Sequence, residues 1–222
     1  MHPSTPVRAA IQRVLHVGMP RLALGAAILL ATIGLALPFW TLTLVTAPNQ
    51  DINSFSWTTI TTQHFQNGAW DRTEIFPYTS SSFIFGSVAS VLGTAYVLAA
   101  VFVVLLAVVL GLFSLEFFRT TSTINLLAIS LVVVGVGLLA LFYPIVAIPG
   151  AATTDLGQFT FGGFWGSTST TGPPRDWSWG PGSGWWLLLA AVLLGISGAA
   201  LPYLKNVREM TPAHPKAWRP SN

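Results

Sequence analysis

The chain has 222 residues, of which 52% are hydrophobic and only 8% are charged, whereas about a quarter of an average soluble domain is charged. This balance excludes an ordinary soluble globular protein and predicts a membrane protein. The formal net charge of +3 comes from basic residues beside apolar runs, so it gives no argument for a nucleic-acid partner, and the absence of cysteine excludes disulfides and thiolate metal sites.

The N-terminal arm, residues 1–21, is predicted to be a cytoplasmic amphipathic helix that lies on the membrane surface. Thr5 can cap this helix, Pro6 suits its first position, and apolar residues recur at helical spacing. Arg8 and Arg13 take other faces, as in an interfacial helix. A frayed basic tail that only sets the topology stays open as the alternative.

Four apolar runs are each long enough to cross a bilayer, which takes about 20 helical residues. They predict spans at 22–45, 83–115, 124–148 and 185–204. At about 1.5 Å per residue the second run is longer than the hydrocarbon is thick, so we expect it to project from the bilayer. The predicted fold class is an all-α membrane protein, a four-helix bundle with a small outer hairpin or sheet.

The basic residues predict the orientation of these spans. Eight of the ten Lys and Arg lie in 1–21, in the turn 116–123 and in the tail 205–222. The positive-inside rule therefore places both termini in the cytoplasm of a multi-pass protein of the cell membrane, with loops 46–82 and 149–184 outside. Four aromatic residues at the outer ends of the spans are the predicted membrane anchors: Trp40, Tyr143, Trp185 and Trp186.

The first outer loop contains Asn67-Gly68, which predicts a β-hairpin. Both positions of a two-residue hairpin turn need positive φ, which Asn and Gly accept. A two-residue turn pairs Phe65 with Trp70, His64 with Asp71, Ile60 with Ile75 and Trp57 with Tyr78. One face of the hairpin then carries an aromatic set that needs a cover: Trp57, Phe65, Trp70, Phe76 and Tyr78.

In the second outer loop, one short strand is predicted near residues 158–161. This strand would pair with the edge of the hairpin to form one sheet. Residues 167–184 are rich in Gly, Pro, Ser and Thr and are expected to be irregular. Trp177 and Trp179 nevertheless alternate like strand residues. With Trp165 they are candidates to cover the hairpin or to contact a partner, and a carbohydrate platform is the alternative.

The middle of every span lacks Asp, Glu, Lys, Arg and His, which argues against a transporter or pump. All four histidines lie outside the spans, which argues against buried haem. Small residues recur at helical spacing along two spans, as in close helix packing: Gly86, Ser90 and Thr94, and Ala191, Gly195 and Ala199. They predict packing inside the bundle, with a partner's helix as the alternative.

The outer loops give no clear catalytic signal. His64 opposite Asp71 resembles a base with its orienting carboxylate, but no nucleophile stands out, so a cross-strand ion pair is the simpler interpretation. The outer acidic residues have no calcium-loop spacing. No catalytic residue, metal or cofactor is predicted, and a bound lipid is allowed.

The layout of four spans, both ends inside and a larger first outer loop with β signal resembles the claudin and PMP22 group of tetraspan proteins. The resemblance covers most of the chain and is one of topology. It implies an outer sheet over a left-handed four-helix bundle. The group's Gly-Leu-Trp motif with two cysteines is absent, and Trp57 is a loose stand-in for its tryptophan.

These observations favour a non-catalytic protein that acts through protein–protein contacts. Its expected partners are the bilayer and either other membrane-protein subunits, which it joins as an accessory or structural subunit, or further copies of itself. The alternative is a cofactor-, pigment- or quinone-binding subunit of a membrane oxidoreductase or photosynthetic complex. Aromatic residues at the outer ends of the spans permit a ring-shaped ligand without requiring one.

Overall fold

Four helices and one six-stranded sheet form the part of the chain that the computed structural model describes, residues 18–79, 84–115, 123–157, 159–170 and 174–210. Most of the predicted N-terminal helix, most of the turn 116–123 and the end of the C-terminal tail lie outside these ranges. The helices are α1 (Met19–Leu35), α2 (Gly86–Ser114), α3 (Thr123–Leu156) and α4 (Ser183–Met210).

The helices pack in a ring, in which α1 and α3 each contact both α2 and α4. Three of them are long and apolar enough to cross a membrane: α2, α3 and the Ser183–Leu201 part of α4. The fourth, α1, is a shorter apolar helix of 17 residues. Large apolar side chains such as Val104 and Leu131 are exposed on the outside of the ring, each with 60% or more of its surface accessible.

Glycines let α1 and α4 approach closely in antiparallel directions. A Cβ on Gly34 would lie 2.9 Å from the carbonyl oxygen of Gly184, and a Cβ on Gly198 would lie 2.9 Å from Cγ of Leu24. Contacts at both ends of α1 therefore join it to α4 along its whole length.

The strands are β1 (Trp40–Thr46), β2 (Asn49–Phe55), β3 (Thr59–Gln66), β4 (Ala69–Pro77), β5 (Gly166–Thr170) and β6 (Arg175–Pro181). They form one antiparallel sheet in the order β4-β3-β2-β1-β6-β5, to which both predicted outer loops contribute. The predicted all-α fold class is therefore wrong, because this sheet is much larger than a hairpin.

The first predicted span, 22–45, is helical only as far as Leu35. Pro38 follows, and proline disfavours helix in the residue before it. From Trp40 the chain is strand β1, in which Leu42 and Leu44 alternate with threonines in the period of a half-buried strand. The absence of charged residues from 22–45 concealed this change of period from 3.6 to 2.

The second outer loop also differs from its prediction. Residues 159–161 are not a strand, and Gln158 lies outside the described residues. Two strands, β5 and β6, instead occupy the segment that was expected to be irregular. Gly, Ser and Pro have poor strand propensity, so this segment did not by itself predict a strand. β6 forms because it pairs with β1, a strand distant in sequence that supplies its backbone hydrogen-bond partners.

The hairpin turn is confirmed, with φ of 52° at Asn67 and 75° at Gly68. Phe65 lies opposite Trp70 as predicted. A β-bulge between His64 and Phe65 then shifts the register, so that His64 lies opposite Arg72 and Ile60 opposite Phe76. The predicted pairs of His64 with Asp71 and of Ile60 with Ile75 are therefore wrong, because the bulge leaves one extra residue on β4.

The sheet meets the helices at one end of its strands. At that end Phe55 packs edge-on against Phe85 at 5.1 Å, and Phe39 contacts Tyr96 at 5.3 Å. β1 continues the chain from α1, and β6 leads into α4. The hairpin turn at Asn67-Gly68 is at the opposite, distal end of the sheet.

Candidate interaction surface

One face of the sheet is apolar near the helices and along β1 and β6, and it is polar toward the distal end of β2, β3 and β4. Three cross-strand rows make up this face, and the register places them as follows: Phe76, Ile60, Phe55 and Trp40; Glu74, Thr62, Asn53, Leu42 and Trp179; and Arg72, His64, Asp51, Leu44 and Trp177. The opposite face is rich in Thr, Ser and Gln. The sheet is therefore amphipathic, as expected for a sheet with one covered face.

The apolar part of this face is covered by the chain's own residues 159–165. Trp177 and Trp179 are 6% and 8% exposed and contact Phe159 and Phe161, with a centroid separation of 4.5 Å between Phe161 and Trp179. The Trp179 indole donates to the carbonyl of Gly163 at 2.9 Å. These two predicted interface tryptophans are thus part of the internal core of the protein.

The polar part centres on His64. Its Nδ1 lies 2.7 Å from Oδ1 of Asp51 on β2, and its Nε2 lies 3.7 Å from Oε2 of Glu74 on β4. A pocket of about 290 Å³ opens beside it, lined by Asn49, Asp51, His64, Phe65, Gln66 and Arg72. The carboxylate partner of His64 is therefore Asp51 of the neighbouring strand, where Asp71 was predicted.

Arg72 contacts both acidic residues of β4. Its guanidinium donates to Glu74 at 2.7 Å and to Asp71 at 3.0 Å. The hydrogen bond and charge of Glu74 raise the pKa of Arg72, and the hydrogen bond from Arg72 lowers the pKa of the Glu74 carboxyl. Both groups are at the surface, where solvent screens such pairs.

The predicted aromatic face of the hairpin is divided by the bulge. Phe65 and Trp70 lie on one face and Phe76 on the other, because paired residues share a face and neighbours along a strand alternate. Trp70 is 62% exposed, and its indole donates to Oγ1 of Thr73 at 3.2 Å. Tyr78 is half-buried, its hydroxyl donates to the carbonyl of Ser56, and burial raises its pKa.

Trp57 lies at the junction between sheet and helices. Its ring stacks on Tyr96 with a centroid separation of 5.4 Å and an interplanar angle of 5°, while 44% of the residue stays exposed. The Tyr96 hydroxyl donates to the carbonyl of Leu37, between α1 and β1, at 2.9 Å. Trp57 and Tyr96 therefore connect three segments of the chain.

The predicted membrane anchors have different environments. Trp40 is fully buried and its indole donates to the carbonyl of Phe164 at 3.0 Å, and Trp185 is buried and donates to that of Leu141 at 3.3 Å. Tyr143 is half-buried. Trp186 is 55% exposed, so its ring, unlike those of Trp40 and Trp185, is open to the surroundings. Trp165, a predicted interface residue, is 62% exposed as well.

The two small-residue ridges also differ. Ala191, Gly195 and Ala199 face the interior, where the hydroxyl of Ser130 donates to the carbonyl of Ala199 at 3.0 Å. The residues of the other ridge are all exposed: Gly86, Ser90 and Thr94. Only the ridge on α4 therefore packs inside the bundle of the described chain.

The sequence did not reveal the role of Asp155. Its carboxylate, near the end of α3, accepts hydrogen bonds from the backbone N–H groups of Ser87 and Val88 at 3.0 and 2.8 Å. These N–H groups belong to the first turn of α2, so they have no hydrogen-bond acceptor within their own helix. Sequence distance hid this cap, since it joins residues that are 67 and 68 positions apart.

Among the described residues, no three His, Asp or Glu side chains lie close enough together to hold a metal ion. The described outer acidic residues have protein partners: Asp51 with His64, Asp71 and Glu74 with Arg72, Asp155 with the start of α2, and Asp176 with Ser169. No protein-family model matches the chain, and no curated protein sequence matches it either.

Proposed function

We propose that this chain is a multi-pass protein of the cell membrane with four spans, and that it acts through protein–protein contacts of the sheet at one end of its helices. It would serve as an accessory or structural subunit of a larger assembly or associate with itself. The observation that carries the proposal is the combination of helices with exposed apolar outer faces and a sheet whose hairpin edge exposes charged and aromatic side chains.

The short helix α1 is the fourth span of this proposal. It runs antiparallel to α4, with Gly34 beside Gly184 and Leu24 beside Gly198. The α4 residues between these contacts lie within Ser183–Leu201, which is long and apolar enough to cross a membrane. A helix of 17 residues measures about 26 Å, so α1 covers nearly the same depth.

The basic residues support an orientation with the sheet outside the cell. Arg21 is near the start of α1 and donates to the carbonyl of Phe113 near the end of α2. Lys205 and Arg208 are near the end of α4, at the same end of the bundle. The sheet is at the other end, so the positive-inside rule favours a cytoplasmic location for the basic end.

A role through contacts fits the pairing of the outer polar groups. His64 is oriented by Asp51, but the residues around its pocket supply no Ser, Thr or Cys nucleophile. The layout of four spans under one outer sheet is what the proposal shares with the claudin and PMP22 group.

Membrane insertion and orientation are tested with single cysteines, since the natural chain has none. Gln66→Cys at the hairpin and Ser221→Cys near the C-terminus are expressed separately in cells, which are then treated with a membrane-impermeant maleimide. We expect Gln66→Cys to be labelled in intact cells and Ser221→Cys only after permeabilisation. The reverse pattern would refute the orientation, and extraction at alkaline pH without detergent would refute membrane insertion.

The role through contacts is tested by native electrophoresis and mass spectrometry after extraction in mild detergent. We expect a species larger than one protomer, which contains either further copies or a second protein. A lone protomer across a range of mild detergents would refute this role.

A further inference from the structure

We propose that the free edge of β4 pairs with β4 of a second copy of this chain, antiparallel and centred on Thr73. The inference rests on the proposed function, because it specifies the partner and the surface through which the protein acts. It predicts a continuous sheet across two protomers.

The edge of β4 is open in the described chain. β4 is the last strand of the sheet, and most of its residues are exposed, among them Trp70 at 62% and Ile75 at 65%. An exposed edge strand is a template for pairing with another strand, and charged side chains on an edge normally discourage such pairing. The charges on β4 are therefore the feature that decides which partner it accepts.

The order of charges on β4 is self-complementary. When two identical antiparallel strands extend one sheet, a two-fold axis perpendicular to the sheet relates them, so the residue at the centre lies opposite itself. A centre at Thr73 places Arg72 opposite Glu74 of the second copy, twice per dimer. Centres at Arg72 or Glu74 place two like charges directly opposite each other, which destabilises a strand pair.

The other face of β4 supports the same register. Trp70 hydrogen-bonds to Thr73, and Ile75 follows Thr73 by two residues, so the three share a face. The bulge leaves Asp71 as the extra residue on β4, so with Thr73 at the centre Ile75 of one copy lies opposite Trp70 of the other. Two exposed apolar side chains then cover each other on one face, while the ion pairs form on the opposite face.

The direction of the strands determines how the two copies are arranged. β4 runs from the distal turn at Asn67-Gly68 to Pro77, next to the helices. Antiparallel pairing places the two helical bundles at opposite ends of the shared sheet, with about 27 Å along the strands between the two Pro77 residues. Two copies in one bilayer cannot adopt this arrangement, so the pair joins opposed membranes or separate detergent micelles.

A disulfide tests the register. Thr73→Cys in the full chain places the only cysteine on the two-fold axis, and Ser167→Cys places one on the opposite edge strand, β5, as the matched control. In mild detergent with a weak oxidant we expect Thr73→Cys to form a disulfide-linked dimer and Ser167→Cys to stay monomeric. A monomer in both variants, or equal dimer from both, would overturn the inference.

Charge reversal tests the pairing itself. Arg72→Glu or Glu74→Arg alone places like charges opposite each other and should weaken tethering of phosphatidylcholine proteoliposomes by about tenfold. Vesicles with Arg72→Glu mixed with vesicles with Glu74→Arg should regain tethering, since every facing pair is again of opposite sign, as should the double variant alone. Failure of both to regain tethering would overturn the inference.

These experiments separate the inference from the proposal beneath it. A protein that needs detergent for extraction and co-purifies with a different chain, but does not cross-link at Thr73→Cys, refutes only the β4 pairing. A protein that is extracted without detergent, or is always a lone protomer, refutes the proposed function as well.

Discussion

The indole of Trp57 lies flat on the ring of Tyr96, with ring centroids 5.4 Å apart and planes within 5° of parallel. Trp57 lies just before strand β3 in the chain, and Tyr96 lies within helix α2. Because the Tyr96 hydroxyl also reaches the carbonyl of Leu37, this pair connects the sheet both to α2 and to the segment between α1 and β1. The pair is therefore a joint between the two parts of the fold.

Removal of this joint should destabilise the protein. Trp57→Ala removes the stacked ring from a half-open site, and we expect it to cost about 1–2 kcal/mol of unfolding free energy. Tyr96→Phe keeps the ring but removes its hydrogen bond, and we expect it to cost about 1 kcal/mol. Thermal unfolding in mild detergent measures both. Trp165→Ala is the control, since Trp165 is 62% exposed and takes no part in this pair, and an equal loss there would contradict the role of the joint.

The approach of α1 to α4 predicts a strong difference between two glycines of the same helix. A Cβ on Gly34 would meet the Gly184 carbonyl oxygen at 2.9 Å and Cβ of Leu187 at 3.3 Å, whereas a Cβ on Gly25 has no neighbour within 4 Å. Gly34→Ala should therefore force the helices apart and cost about 1–3 kcal/mol. Gly25→Ala should stabilise by about 0.5–1 kcal/mol through helix propensity. Thermal unfolding of the two variants checks this, and equal melting temperatures would contradict the close packing.

The sequence predicted the features that depend on local chemistry. The Asn67-Gly68 turn could be predicted because few other residues accept positive φ. The central parts of α2, α3 and α4 could be predicted because apolar runs of that length are typical of membrane-spanning helices. The end of α1 at Leu35 could not be predicted, because the residues of β1 continue the run without a charged residue. A change of period from 3.6 to 2 at Pro38 was the signal that composition concealed.

The candidate surface depended on contacts between distant segments. Trp177 and Trp179 showed strand alternation, but their burial depends on β1 and on Phe159 and Phe161, which propensity cannot pair. One bulge beside His64 divided the predicted aromatic face, since a shift of one residue reverses the faces. The carboxylate neighbour of His64 is Asp51 on β2, a strand that was not predicted from the sequence.

Because Asp155 caps the start of α2, substitutions of Asp155 should lower the stability of the protein in graded steps. Asp155→Ala leaves the backbone N–H groups of Ser87 and Val88 without their acceptor and should cost about 1–2 kcal/mol of unfolding free energy. Asp155→Asn keeps one acceptor oxygen but loses the charge that the helix dipole favours, so it should cost less. Thermal unfolding measures the series. Asp176→Ala is the control, because Asp176 is exposed and its carboxylate accepts a hydrogen bond from the hydroxyl of Ser169. A similar loss there would contradict the capping role.

The ion pair of Arg72 with Glu74 predicts a loss of stability in the acid range. The hydrogen bond from Arg72 holds the pKa of Glu74 below its ordinary value, so the pair contributes stability that is present above the unfolded-state pKa and is lost as pH falls through the folded-state pKa. We expect the difference in melting temperature between the natural chain and Glu74→Gln to shrink as the pH falls below the ordinary carboxyl pKa of about 4.3. The difference should also shrink in about 1 M salt, because the pair is exposed and screened. A difference that persists undiminished at pH 3 would show that Glu74 stabilises the hairpin by packing and not by its charge.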